Sequence, residues 1–103
     1  MKEENTITLD RFRELANSET EYGEPQLWID LPRGRSLEIT HEEYGLKRTD
    51  MYFSARLHCS DEEFDRGMFH ATCGVLDTWT STNGDSIDIE NIKALAYKAC
   101  ATI

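Results

Sequence analysis

The residues best suited to metal or acid–base chemistry are three histidines and three cysteines. His58 and Cys59 adjoin, and His70 and Cys73 follow at a spacing that places both on one helical face. Four nitrogen and sulfur ligands suit tetrahedral zinc. Adjacent residues on a strand point to opposite faces, however, and Cys59 and Cys73 both continue apolar stripes, where a free cysteine packs as a small hydrophobe. Core packing for the cysteines and surface positions for the histidines is the simpler expectation, and no metal or catalytic residue is assigned. His58, His70 and Cys73 remain the centre of an alternative reading, a small metal-dependent or hydrolytic enzyme.

Between Trp79 and Glu90, residues Ser81, Asn83, Gly84 and Glu90 fall at positions of a calcium-binding EF-hand loop. Trp79 stands where the first carboxylate ligand is required, so a plain turn through Asn83-Gly84 is expected. His41-Glu42-Glu43 sets a base beside two acids, in what reads as a solvated loop. There is no nucleophile elbow, phosphate loop or zinc-protease motif, and no cofactor is implied.

Charge carries more information. Lys and Arg number 11 against 20 Asp and Glu, a net charge of −9 over 103 residues. From Asp61 to Glu90 the acids Asp61, Glu62, Glu63, Asp65, Asp77, Asp85, Asp88 and Glu90 face one base, Arg66. Such a surface argues against binding phosphate backbones and suits a basic partner. Arg33, Arg35, Lys47 and Arg48 lie in strand connections, where they are expected to form a small positive corner.

These side chains need elements to position them. Thr8 caps a helix from Leu9 to about Asn17, with Ile7 and Phe12 as a hydrophobic staple. Period-two alternation then marks three strands: Leu27/Ile29/Leu31, Leu37/Ile39, and Met51 through Phe53, Ala55 and Leu57 to Cys59. Pro32-Arg33-Gly34-Arg35 turns between the first two. Ser60 with Glu63 forms a capping box, and Phe64, Met68, Ala71, Val75 and Trp79 recur at helical steps behind it. Asp88 caps a final helix whose apolar side is Ile89, Ile92, Leu95, Ala96 and Ala99. The expectation is one α+β domain over residues 1–103, frayed at residues 1–6. It comprises an N-terminal helix, a three-stranded antiparallel meander and two C-terminal helices packed on one face (α-β-β-β-α-α). Phe64, Met68, Ala71, Val75 and Leu95 should cover the sheet.

The order of the first five elements resembles that of double-stranded-RNA-binding domains, whose lysine cluster opens the helix after the sheet. Here that position reads Asp61-Glu62-Glu63-Phe64-Asp65, of the opposite sign, so the resemblance implies topology alone.

No apolar run approaches the roughly 18 residues of a membrane span, and no hydrophobic stretch follows Met1-Lys2-Glu3-Glu4-Asn5. Three cysteines without paired spacing predict reduced thiols. Together these features predict a cytoplasmic interaction protein: an inhibitor, immunity or anti-defence factor, or regulator. Its carboxylates at Glu62, Asp65, Asp77, Glu42 and Glu43 would dock a basic protein, such as a nuclease or other nucleic-acid-binding protein, with no direct nucleic-acid or membrane contact.

Overall fold

Alternation of apolar and polar residues between Pro25 and His58 gives the molecule its long strands. The computed structural model describes residues 5–44, 50–66, 74–81 and 86–103, without the strand side chains of residues 43, 44, 50 and 51. In chain order the elements are β1 (Ile7–Thr8), α1 (Leu9–Leu15), β2 (Ser18–Glu19), β3 (Pro25–Asp30), β4 (Ser36–Tyr44), β5 (Asp50–His58), α2 (Asp61–Asp65), β6 (Val75–Thr80), β7 (Ser86–Ile87) and α3 (Ile89–Thr102). A 3-10 turn at Pro32–Gly34 joins β3 to β4, with Arg33 at φ 67° and Gly34 at φ 73°.

Strands β2 to β6 form one sheet in sequential order, every pair antiparallel. β1 and β7 form a separate two-stranded ribbon, with Ile7 opposite Ile87. The expected three-stranded meander is therefore too small, and residues Val75–Thr80, assigned above to a long helix, are a strand. The reason is local and tertiary together. Gly74 sits at φ 87°, a conformation that ends helical continuation, and the following Val-Leu-Asp-Thr-Trp-Thr favours a pleated surface. β5 supplies the partner: Ala55 lies opposite Trp79 and Leu57 opposite Asp77, with a bulge between Leu57 and His58. The helix that begins at Ser60 is confined to five residues, none of them buried.

One sheet face carries the core. Leu37, Ile39, Phe53, Ala55 and Leu57 are buried with Phe12 of α1 and Ala96 and Cys100 of α3. Phe12 meets Phe53 edge-on at 5.2 Å between ring centres. This replaces the expected cover. Phe64 is 55% exposed and Leu95 38%, while Val75 is half-buried on β6 and Met68 and Ala71 lie outside the described residues. The helix starts are as anticipated. The hydroxyl of Thr8 accepts from the Arg11 amide, Ser60 and Glu63 make both bonds of a capping box, and Asp88 accepts from the Asn91 amide. No helix among the described residues is long and apolar enough to cross a membrane.

Candidate functional site

The face of the sheet opposite the core is built from the polar half of each alternation. Trp28 lies opposite Glu38, Glu38 opposite Arg56, and Glu42 opposite Tyr52. The resulting network is continuous. Glu38 Oε1 accepts from His58 Nε2 at 3.0 Å, and its Oε2 accepts from Gln26 Nε2 at 2.6 Å. Arg56 donates to Glu42 Oε1 at 3.0 Å, and the Tyr52 hydroxyl donates to Glu42 Oε2 at 2.8 Å. The bond from His58, then that from Gln26, holds the Glu38 carboxyl below its ordinary range against the opposing effect of burial. A cavity of about 340 Å³ opens over Glu38, Thr40, Glu42 and Arg56, bounded by the loop at Thr20–Glu24.

Glu42 is thus an ordered strand residue paired with Arg56, not a loop carboxylate. Glu43 follows it on β4, with its side chain outside the described residues. The same ladder corrects the reading of His41, which is buried in the strand against Phe53 at 4.7 Å between rings.

The other predicted acids lie elsewhere. Glu62 and Asp65 are exposed on α2, where Glu62 pairs with Arg66. Asp77 is exposed on β6 opposite Leu57, close to where β5 leads into α2. Register brings Asp77 toward the α2 acids at one end of the sheet. It leaves Glu42 at the level of Tyr52, six residues from His58, or roughly 20 Å at about 3.3 Å per residue. The predicted contacts therefore divide into an end patch (Glu62, Asp65, Asp77) and the sheet face.

The positive corner is not formed as expected. Arg35 is 2% exposed, and its guanidinium makes a two-pronged pair with Glu63 at 3.0 and 2.8 Å. It also donates to the carbonyls of Cys100 and Ile103, and Arg33 donates to the same two oxygens. Two arginines of one turn thereby cap the last turn of α3, where the helix dipole favours positive charge. The Arg35 pair and the Ser60 amide pull the Glu63 carboxyl down to about 2. Lys47 and Arg48 lie outside the described residues. Sequence reading missed this anchor because residues 35, 63 and 100 are remote in the chain. The capping box was the available clue, since it fixed where Glu63 points.

His58 packs beside Trp28, with ring centres 5.2 Å apart. A histidine bonded to a carboxylate can relay a proton, but a reaction also needs a nucleophile or a metal. The neighbouring Cys59 thiol is pushed up by burial and by the Glu63 charge, which disfavours the thiolate. His70 and Cys73 lie outside the described residues, and no group of three metal-ligating side chains occurs among the described ones. Trp79, the first position of the EF-hand pattern, is a strand residue on β6. No protein-family model, curated protein or solved structure matches this chain.

Proposed function

We propose that this chain is a small acidic interaction protein, an inhibitor, immunity or anti-defence factor or regulator acting in the cytoplasm, and that it docks a basic protein. The observation that carries the reading is the end patch. Glu62, Asp65 and Asp77 are exposed around the β5–α2 junction and β6, and the base beside them is Arg66, the C-cap of α2, which pairs with Glu62. Capping accounts for Ser60 and Glu63. It does not account for Asp65, which follows the first turn and gains little from the helix dipole. A surface of this kind speeds encounter with a cationic partner through long-range attraction.

Capture of the partner from the native host, followed by stopped-flow association, tests the proposal. The double variant E62K/D65K should associate about tenfold more slowly at low salt, and the difference should close as salt approaches 1 M, where screening acts within about 3 Å. An unchanged rate at low salt refutes it. The enzyme reading has one supporting observation, the Glu38–His58 pair. Elemental analysis of protein purified without chelator discriminates, since a stoichiometric metal would favour the enzyme.

A further inference from the structure

The two edges of the five-stranded sheet differ. β2 is two residues long, a blunt edge that offers little to pair with. β6 is six residues long, contains no proline or lysine, and has no strand beyond it among the described residues. The ladder shows which groups face outward. The Ser81 amide donates to the Phe53 carbonyl at 3.0 Å, which makes this a bonded pair. Antiparallel pairs alternate, so Trp79 with Ala55 and Asp77 with Leu57 exchange bonds, while the main-chain groups of Thr78 and Thr80 point away from β5. The Thr78 amide accordingly finds a side-chain acceptor, donating to its own neighbour, Asp77 Oδ1, at 2.8 Å.

Beside this edge lies a cavity of about 510 Å³ whose walls include Trp79, Ile87, Ile92 and Leu95. A strand laid along β6 would direct alternate side chains to the side of Trp79, into that space. Asp77 lies on that same side, one pleat further along β6, while the segment's remaining side chains would stand on the opposite face beside Thr78 and Thr80. The occupant's character follows. Main-chain groups require an extended segment, the cavity requires apolar residues on the side of Trp79, and Asp77 on that same side, together with the net charge of −9, favours a basic residue at the position facing it. The same charge opposes a second copy of this chain.

We propose that β6 is a strand-addition site for an extended segment of a protein partner, apolar where it faces Trp79 and basic where it faces Asp77. On binding, Asp77 releases the Thr78 amide to the incoming carbonyl and pairs with a cationic side chain. The basic character of the segment rests on the function proposed above; the edge pairing does not.

The probes are nine-residue peptides alternating valine with threonine, with the seventh residue, a valine, replaced by lysine in one and by glutamate in the other, added to the isotopically labelled full chain. The lysine peptide should protect the Thr78 and Thr80 amides from hydrogen exchange at least tenfold and shift the methyl resonances of Ile87, Ile92 and Leu95. The glutamate peptide should bind at least tenfold more weakly. T78P, which removes an outward amide without touching the bonds to β5, should abolish binding, whereas T78V should retain it. D77N should weaken the lysine peptide several-fold and leave the melting temperature unchanged, so the test stands even if T78P fails to fold. Absence of protection at Thr78 and Thr80 with either peptide overturns the proposal. Perturbation confined to residues 61–66 overturns it too, while leaving the end patch intact as a docking surface. Equal affinity for both peptides overturns the assignment of a basic segment.

Discussion

At the scale of single residues, Glu63 does two jobs with one carboxylate. It closes the capping box of α2 and neutralises the buried guanidinium of Arg35. Its pKa is about 2 in the folded protein against 4.5 ordinarily, so between those values the unfolded chain binds more protons than the folded one. Stability is therefore fully present above pH 4.5 and falls as pH drops toward 2. Chemical denaturation at pH 7, 4 and 2.5 should show a loss of about 1 to 2 kcal/mol, a figure reduced for the solvent that reaches Glu63. The E63Q variant should start about 2 to 4 kcal/mol less stable, because Arg35 then stays buried with its charge unmet, and should show a flatter acid profile. Some slope should persist, since Glu38 is also held low. Cys59 offers a second test. With its thiol pushed up, peptide-resolved alkylation at pH 8 should be slower at Cys59 in the native protein than in urea.

Between elements, Gly74 and Phe64 matter in opposite ways. Gly74 lets the chain enter β6 at φ 87°, and an added Cβ would meet Cys59 Sγ at 3.0 Å and Phe64 Cδ2 at 3.1 Å. G74A should cost about 2 kcal/mol through backbone strain and this crowding. Phe64 looks like a core residue in the sequence but projects from a one-turn helix. F64A should cost less than about 1 kcal/mol, measured by urea unfolding. Had the long helix formed, the same change would have opened a core cavity at about 3–5 kcal/mol.

For the whole molecule, the core is a single sandwich of sheet and two helices, and Phe12 is its most telling member. It is fully buried, joins α1 to the sheet through Phe53, and comes from a helix of only seven residues. F12A should cost about 3–5 kcal/mol, several times the loss at Phe64, and a calorimetric melt of the two variants side by side checks the contrast. The opposite sheet face is held by polar pairs at Glu38, Glu42, Arg56 and His58. Their side chains keep only 13% to 33% of their exposure, so each pair is partly shielded from solvent screening.

What the sequence determined by itself was what depends on near neighbours. Thr8, Ser60 with Glu63, and Asp88 marked three helix starts because a cap needs only residues within one turn. Period-two alternation marked β3, β4 and β5 because each has one face in the core and one outside it. At β6 the sequence holds no such alternation, because Val75 and Leu76 adjoin and Asp77 falls in phase with Trp79; only the β-favouring Val75, Thr78, Trp79 and Thr80, with Gly74 as boundary, mark it. It was masked by the chance recurrence of Phe64, Met68, Ala71, Val75 and Trp79 at helical steps. Only the tertiary structure decided between the two readings, because the partner that stabilises those residues as a strand is β5, some twenty residues earlier in the chain. The same holds for the candidate sites. Which acids are exposed, which are already paired, and which edge stands open are properties of ladders and ion pairs between remote residues. Arg35 with Glu63 and Glu42 with Arg56 acquired their partners only when the strands came into register.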